Sequence, residues 1–191
     1  DRIGGSRSSL RFNVRGEKVN IEHPARDFEE AISEILSLLT SDKYKVINDL
    51  SEIGAVGHRI VHGGEKFKNS VVINDEVVKA IEDNIKLAPL HNPAGLAGIK
   101  ACKKLLPNTP MVAVFDTSFH QTMDEKAFIY QLPYKYYEDH KIRKYGFHGI
   151  SHRYIAGRVA ELAGKNDLKI INCHLGQGAS LCAIKDGKAV D

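Results

Sequence analysis

Residues 110–116 read PMVAVFD. Five consecutive apolar residues between a proline and an aspartate have strand length and no alternation, the pattern of a strand buried on both faces. Such a strand needs neighbouring strands and covering helices, and the flanking sequence supplies both. NPAGLAGIKACKKLLP (92–107) predicts a helix with Asn92 at its cap, Pro93 at its first position and Pro107 at its end. Before it, a helix is expected from Asp75 to Leu87, with Val78, Ile81 and Ile85 inward. A strand through Ile53, Ala55 and Val56 runs up to Gly57. Asp27 and Glu30 make a capping box for a helix from Phe28 to Leu39, whose apolar face is Phe28, Ala31, Ile32, Ile35 and Leu39. SLRFNVRGEKVNIE (9–22) reads as two strands joined at Arg15-Gly16. After the central run, TSFHQTM (117–123) reads as a loop, and a helix runs from near Ser151 to Gly164. Residues 168–190 give strand, Gly-rich turn, strand, Asp186-Gly187 turn, strand. Strands alternating with helices and then a meander define an α/β fold with a mixed sheet.

Composition narrows the function classes. With 191 residues and 42% hydrophobic content, the chain can bury one sizeable core or two small domains sharing an interface. The net charge is +3 and the basic residues are spread along the chain, which disfavours nucleic acid. No apolar run of membrane-spanning length and no signal-peptide pattern occurs, so no membrane partner is expected. Three cysteines, Cys102, Cys173 and Cys182, form no disulfide scaffold and read as reduced thiols of a cytoplasmic protein. The chain opens on DRIGGSRSSL without an initiator Met and stops just after a hairpin turn, so a piece of a longer protein is expected.

Eight of the nine histidines follow residue 57, mostly at strand and loop ends, where ligands bind on α/β sheets. In GHRIVHGGEKF (57–67), an extended backbone puts His58, Ile60 and His62 on one face and Arg59 and Val61 on the other. An arginine beside a valine suits a small carboxylate with a short alkyl tail, the guanidinium binding two oxygens while Val61 covers the tail. The bland reading, a surface strand end with a hairpin, weighs about the same. Asp116, at the end of the central strand, can hold Mg²⁺ through water or orient a nucleophile; equally, Asp116 and Thr117 can cap a turn. In GFHGISH (146–152), His148 and His152 stand four apart near a helix start. They could be half of a zinc site, or His148 could donate to an anion; otherwise one caps and the other is solvated, which suits His152 better. Gly176-Gln177-Gly178 exposes backbone N–H groups that can cradle phosphate, although an ordinary hairpin is the commoner meaning of such a turn. Together these clusters supply cationic donors, a strand-end carboxylate and a phosphate-friendly hairpin, an inventory that suits phosphoryl transfer.

VGHRIVHGGEKF, LAPLHNPAGLAGI, VFDTSFHQTM, RKYGFHGISHRY and CHLGQGAS resemble, in order and spacing, successive motifs of the acetate, propionate and butyrate kinase family, acetate kinase above all. The resemblance covers the chain from about Ser51 onward. It implies the sugar kinase–Hsp70–actin fold, with ribonuclease-H-like sheets flanked by helices. Residues 1–118 would be part of the N-terminal acyl-substrate domain and 119–191 the start of a second, nucleotide-binding domain. It implies reversible, ATP- and Mg²⁺-dependent phosphorylation of acetate to acetyl phosphate by direct in-line transfer, in a homodimer. By the same carry-over, Arg59 binds the carboxylate and steadies the phosphoryl group, Asp116 serves the Mg²⁺ site and the nucleophile, and His148 hydrogen-bonds the phosphoryl. His91 lies beside the substrate, and Val61, Leu90 and Phe147 line the methyl pocket. His174, Gly176, Gln177 and Gly178 meet the ATP phosphates.

The chain departs from the family pattern in places. Gln177 stands where the family usually has Asn, and Ala94 where many members have a second Pro. The family's first strand and its late arginine, adenosine and glutamate sites have no counterpart here, so this chain alone is expected to be inactive. Three other readings fit the sequence: propionate as the substrate, a zinc-dependent hydrolase using His148, His152 and another His or Asp116, and a non-catalytic fragment.

Overall fold

The computed structural model describes residues 2–5, 8–22 and 25–191. Its strands are β1 (Ser9–Val14), β2 (Glu17–Glu22), β3 (Val56–Ile60), β4 (Val71–Val72), β5 (Met111–Phe115), β6 (Lys169–Leu175), β7 (Ala179–Lys185) and β8 (Lys188–Ala189). Its helices are α1 (Phe28–Thr40), α2 (Asp75–Asp83), α3 (Asn92–Leu105), α4 (Glu125–Phe128), α5 (Lys135–His140) and α6 (Gly149–Ala163). Two compact units emerge: Asp1–His58 with Ala94–Met111, and Arg59–Pro93 with Val112–Asp191.

In the first unit, β1 and β2 pair antiparallel from Ser9↔Glu22 to Val14↔Glu17. Arg15 and Gly16 both take positive φ, as a two-residue hairpin loop matched to strand twist requires. The Asp27 side chain accepts from the Glu30 N–H at the start of α1. The other half of the expected box differs, because Glu30 accepts from the Arg26 N–H instead. The expected apolar stripe is only partly used. Leu36 is the buried residue of α1, Phe28 and Ile35 are exposed, and Ala31 and Ile35 line a small apolar groove with Leu10 and Ala25.

β3 starts at Val56, after a 3-10 turn over Leu50–Glu52, and continues through His58 and Arg59 to Ile60. The strand therefore lies later than the sequence suggests. The ladder to β5 explains the shift: Val56 N–H bonds Pro110 C=O, and Asp116 N–H bonds Ile60 C=O. Both residue numbers rise together, the mark of a parallel pair. β5 is the centre of the sheet order β3-β5-β4, and β4 pairs it antiparallel, Val71↔Ala113. The apolar run at 110–116 is thus a central strand with Ala113 and Phe115 fully buried.

In the second unit, α2 buries Val77, Ala80 and Ile81, a face one residue off the expected one at its start. Asn92 is wholly buried, and its side chain does not cap α3. Its Oδ1 accepts from the His62 N–H, and its Nδ2 donates to the His62 and Ile81 carbonyls. Residues 117–123, expected as a loop, hold a 3-10 turn over Phe119–Thr122. β6, β7 and β8 form an antiparallel meander, with Asp186 and Gly187 at positive φ in its second turn. One face of the meander packs Cys182, Ile184 and Ala189 against Phe119, Met123 and Ala156. Ile171, Leu175 and Leu181 are exposed. Among the described residues, no helix is long and apolar enough to cross a membrane.

Candidate active site

The C-terminal ends of β3 and β5 deliver Arg59 and Asp116 side by side in the second unit. Arg59 Nε donates to Asp116 Oδ1 at 3.2 Å, and Nη2 donates to Oδ2 at 2.7 Å. The carboxylate is 1% exposed, whereas the guanidinium side chain is 59% exposed. The Asp116 hydrogen bond raises the Arg59 pKa further above the already high arginine value. Two of its five N–H donors are spent on Asp116, so three remain to bind an anion.

Both residues line a cavity of about 510 Å³ with Val61, Leu90, His91, Phe147, His148 and Gly178. Eight residues singled out in the sequence therefore meet in one place. His174 is not on the lining but directly behind it, its ring stacked on His148 at 4.1 Å and 19°. Gly176 and Gln177 are exposed and lie outside the lining. Leu90 and Phe147 hold apolar surface open to solvent at the rim.

His148 takes a left-handed backbone conformation, φ 55° and ψ 26°, at the start of α6. A residue with a Cβ enters this region uncommonly, most often in a turn or where its neighbours hold it. The constraint is visible on both sides. His120 Nε2 meets the Phe147 carbonyl at 3.1 Å, and the Gly149 N–H donates to the Asp116 carbonyl at 3.0 Å. The glycines follow from these contacts. A Cβ on Gly146 would sit 2.5 Å from the His120 ring, and one on Gly149 would sit 2.1 Å from the Asp116 carbonyl oxygen. Gly149→Ala is therefore expected to destabilise the protein by about 1–3 kcal/mol, at the upper end because backbone is met. Gly157→Ala, also in α6 but with open space around its Cβ, is expected to stabilise by up to about 1 kcal/mol. Urea unfolding of both variants checks the pair; equal midpoints would contradict the contact.

Behind His148 lies a polar network that sequence reasoning did not find. Its Nδ1 is 2.9 Å from Ser180 Oγ, which is also 2.8 Å from His152 Nε2. His152 Nδ1 is 2.7 Å from Asn172 Nδ2. His152 is wholly buried, so it is neither a cap nor the solvated histidine that its spacing suggested. Nor is it half of a zinc site: among the described residues, no three His, Cys, Asp or Glu side chains are grouped to hold a metal ion. No sequence spacing flagged Asn172 or Ser180, because the contacts join residues 20 to 32 positions apart. His120 stands in a quoted motif, yet its role depends on a carbonyl 27 residues away.

Burial sets the histidine protonation. His62 is 1% exposed and His152 is fully covered, and desolvation pushes each pKa down to about 4. For His152, the neighbouring His120, His174 and His148 add to the shift. His62 Nδ1 also accepts from the Gly64 N–H at 3.0 Å, a bond that protonation would break. The folded pKa values lie below the ordinary histidine value near 6.5, so the unfolded chain binds more protons between about pH 6.5 and 4. Stability is full above that window and falls as pH drops through it, by roughly 3 kcal/mol per histidine at its lower end. Unfolding midpoints measured from pH 7 to pH 5 are expected to decline; a flat profile would contradict the buried neutral state.

A family model for the acetokinase family matches residues 1–191. Acetate kinase of Clostridium botulinum strain Hall is 58% identical over 193 residues, covering all of this chain and 49% of that protein. The crystal structure of Porphyromonas gingivalis acetate kinase matches with a TM-score of 0.93 at 49% identity, over the whole chain and 49% of that structure. A propionate kinase from Francisella tularensis matches with the same TM-score at 38% identity, over the whole chain and 48% of that structure. The chain spans about half the length of the curated relatives it matches. The fold is that of these kinases, the sugar kinase–Hsp70–actin type.

Proposed function

The chain belongs to the acetokinase family, and from that membership and the cavity we propose that the protein carrying it phosphorylates acetate with ATP to give acetyl phosphate, reversibly. The observation that supports this reading is the convergence of Arg59, Asp116 and His148 with Val61, Leu90 and Phe147 on one cavity. Cationic and hydrogen-bonding groups stand beside a short apolar wall, the complement of a carboxylate with a methyl group.

In this reading the free donors of Arg59 bind the acetate oxygens and offset charge on the moving phosphoryl group. Val61, Leu90 and Phe147 cover the methyl, and His91 flanks it. A carboxylate oxygen attacks the γ-phosphorus in line, the bond to ADP breaks, and His148 donates to a phosphoryl oxygen. His174 and the 176–178 turn face the nucleotide phosphates. Residues 1–118 contribute to the acyl-substrate half, and 119–191 open the nucleotide half. The intact protein is read as a cytoplasmic homodimer with no nucleic-acid or membrane partner.

A magnesium ion fits the donor set. Among the described residues Asp116 is the one carboxylate lining the cavity, and each of its oxygens keeps a lone pair beyond its bond to Arg59. Mg²⁺ commonly takes one or two protein carboxylates, substrate phosphates and several waters. Asp116 would hold it, and its chemistry is charge neutralisation on the phosphates.

Propionate is the second reading, favoured by the open rim at Leu90 and by the similarity to a propionate kinase. One methylene is worth only about 1–3 kcal/mol in such a pocket. The test is hydroxylamine trapping of acyl phosphate by the full-length protein with ATP, Mg²⁺ and acetate, propionate or butyrate. Acetyl hydroxamate formed most efficiently is the expected result. Propionyl hydroxamate in excess would transfer the assignment, and no hydroxamate from any acid would overturn it.

A further inference from the structure

We propose that Asn172, His152 and Ser180 form a one-way hydrogen-bond relay that fixes His148 as the tautomer with a bare Nδ1 and an Nε2–H turned to the anion in the cavity. The functional meaning rests on the acyl-kinase reading; the tautomer itself does not. The direction follows from the amide at one end and from keeping the Ser180 proton inside the network. A serine hydroxyl has one proton, so Ser180 Oγ can donate to only one of the two histidine nitrogens it touches, His148 Nδ1 at 2.9 Å and His152 Nε2 at 2.8 Å.

The far end makes the choice. Asn172 places its amide nitrogen 2.7 Å from His152 Nδ1, and an amide nitrogen only donates. His152 Nδ1 is then bare and Nε2 carries the proton. Nε2–H donates to Ser180 Oγ, Ser180 O–H donates to His148 Nδ1, and the remaining proton of His148 sits on Nε2. The alternative with neutral rings has Ser180 Oγ accept from both histidines and turn its own proton out of the network, yet among the described residues Ser180 Oγ meets no acceptor besides the two rings. The His148 edge formed by Cε1 and Nε2 faces Gly178, where a Cβ would come within 3.3 Å, so the glycine leaves that edge clear.

Neutrality has separate support. His152 is wholly buried, with its pKa pushed down to about 4 by desolvation. The His148 pKa is lowered by burial and then by His174, whose ring is stacked on it. Reversing the relay would require Asn172 to turn its carbonyl to His152, and His148 would then present a lone pair to an anion. Asn172 and His152 are accordingly positioning residues that act through His148, and Ser180, which also lines the cavity, is assigned the same role.

The tautomer can be read directly in the full-length protein by ¹⁵N NMR with labelled histidine, assigning His148 by the signals lost in His148→Gln. The expected spectrum at neutral pH shows a protonated Nε2 and a bare Nδ1. A protonated Nδ1, or protons on both nitrogens, would overturn the proposal, and the spectrum decides this whether or not the protein makes acyl phosphate. Kinetics supply the functional arm. Ser180→Ala is expected to lower kcat roughly five- to tenfold, the scale of one hydrogen bond, with KM for acetate little changed, and to broaden the His148 signals into a tautomer mixture. Ser180→Thr keeps the hydroxyl and is expected to recover rate and tautomer relative to Ser180→Ala. An unchanged tautomer and kcat in Ser180→Ala would contradict the relay.

Discussion

Arg59→Ala is expected to lower acetyl phosphate formation by about 10³–10⁵, the range lost when an arginine aimed at a phosphoryl transition state is removed. Arg59 stands at the end of β3 with three N–H donors uncommitted and most of its side chain open to the cavity side. The loss should fall mainly on kcat, because the charge it meets grows as the phosphoryl group moves. The variant also strands the Asp116 carboxylate, 1% exposed, without its cation. That costs about 1–3 kcal/mol of stability, measured separately by thermal unfolding. Arg59→Lys should rescue little, since an ammonium cannot hold Asp116 through two parallel bonds and still reach an anion. Near-normal turnover in Arg59→Ala would remove the residue from the chemistry.

Asp116→Asn is expected to lower kcat at least about 10²–10³-fold, because a metal ion's share of transition-state stabilisation is several kcal/mol and the ligand charge is gone. The Mg²⁺ concentration giving half-maximal rate should rise. The amide also turns one N–H toward the guanidinium, so the bidentate pair with Arg59 cannot survive. The double variant Arg59→Ala/Asp116→Asn separates structure from function. It should be more stable than Arg59→Ala, since no buried charge is left unpaired, yet no more active. A double variant that regained activity along with stability would mean that the pair serves the fold alone.

What the sequence made legible follows from how local each signal is. The run at 110–116 was readable because its second face, Val112 and Val114, is still half-buried and so stays apolar, and the meander at 168–190 because Asp186-Gly187 announces its turn. The residues lining the cavity were named from strand ends and family motifs. Other features depend on partners far along the chain. Asn92 looks like a cap because its type and place before a proline fit one; its amide is instead spent on His62 and Ile81. His152 shows no mark of burial in its spacing, because Ser180 and Asn172 come to it from the meander. α6 starts at Gly149, two residues before the expected Ser151, because only glycine fits against the Asp116 carbonyl. The left-handed backbone of His148 is likewise imposed by tertiary contacts on either side of it.

We propose that the acyl group sits in the cavity under Arg59, against Val61. The most direct test is the ratio of kcat/KM for propionate to that for acetate, measured in full-length wild type and Val61→Ala. A ratio cancels losses from partial unfolding. Removing two methyl groups from the wall should make room for one methylene, and the ratio is expected to rise about tenfold or more. An unchanged ratio would mean that the acyl chain binds elsewhere.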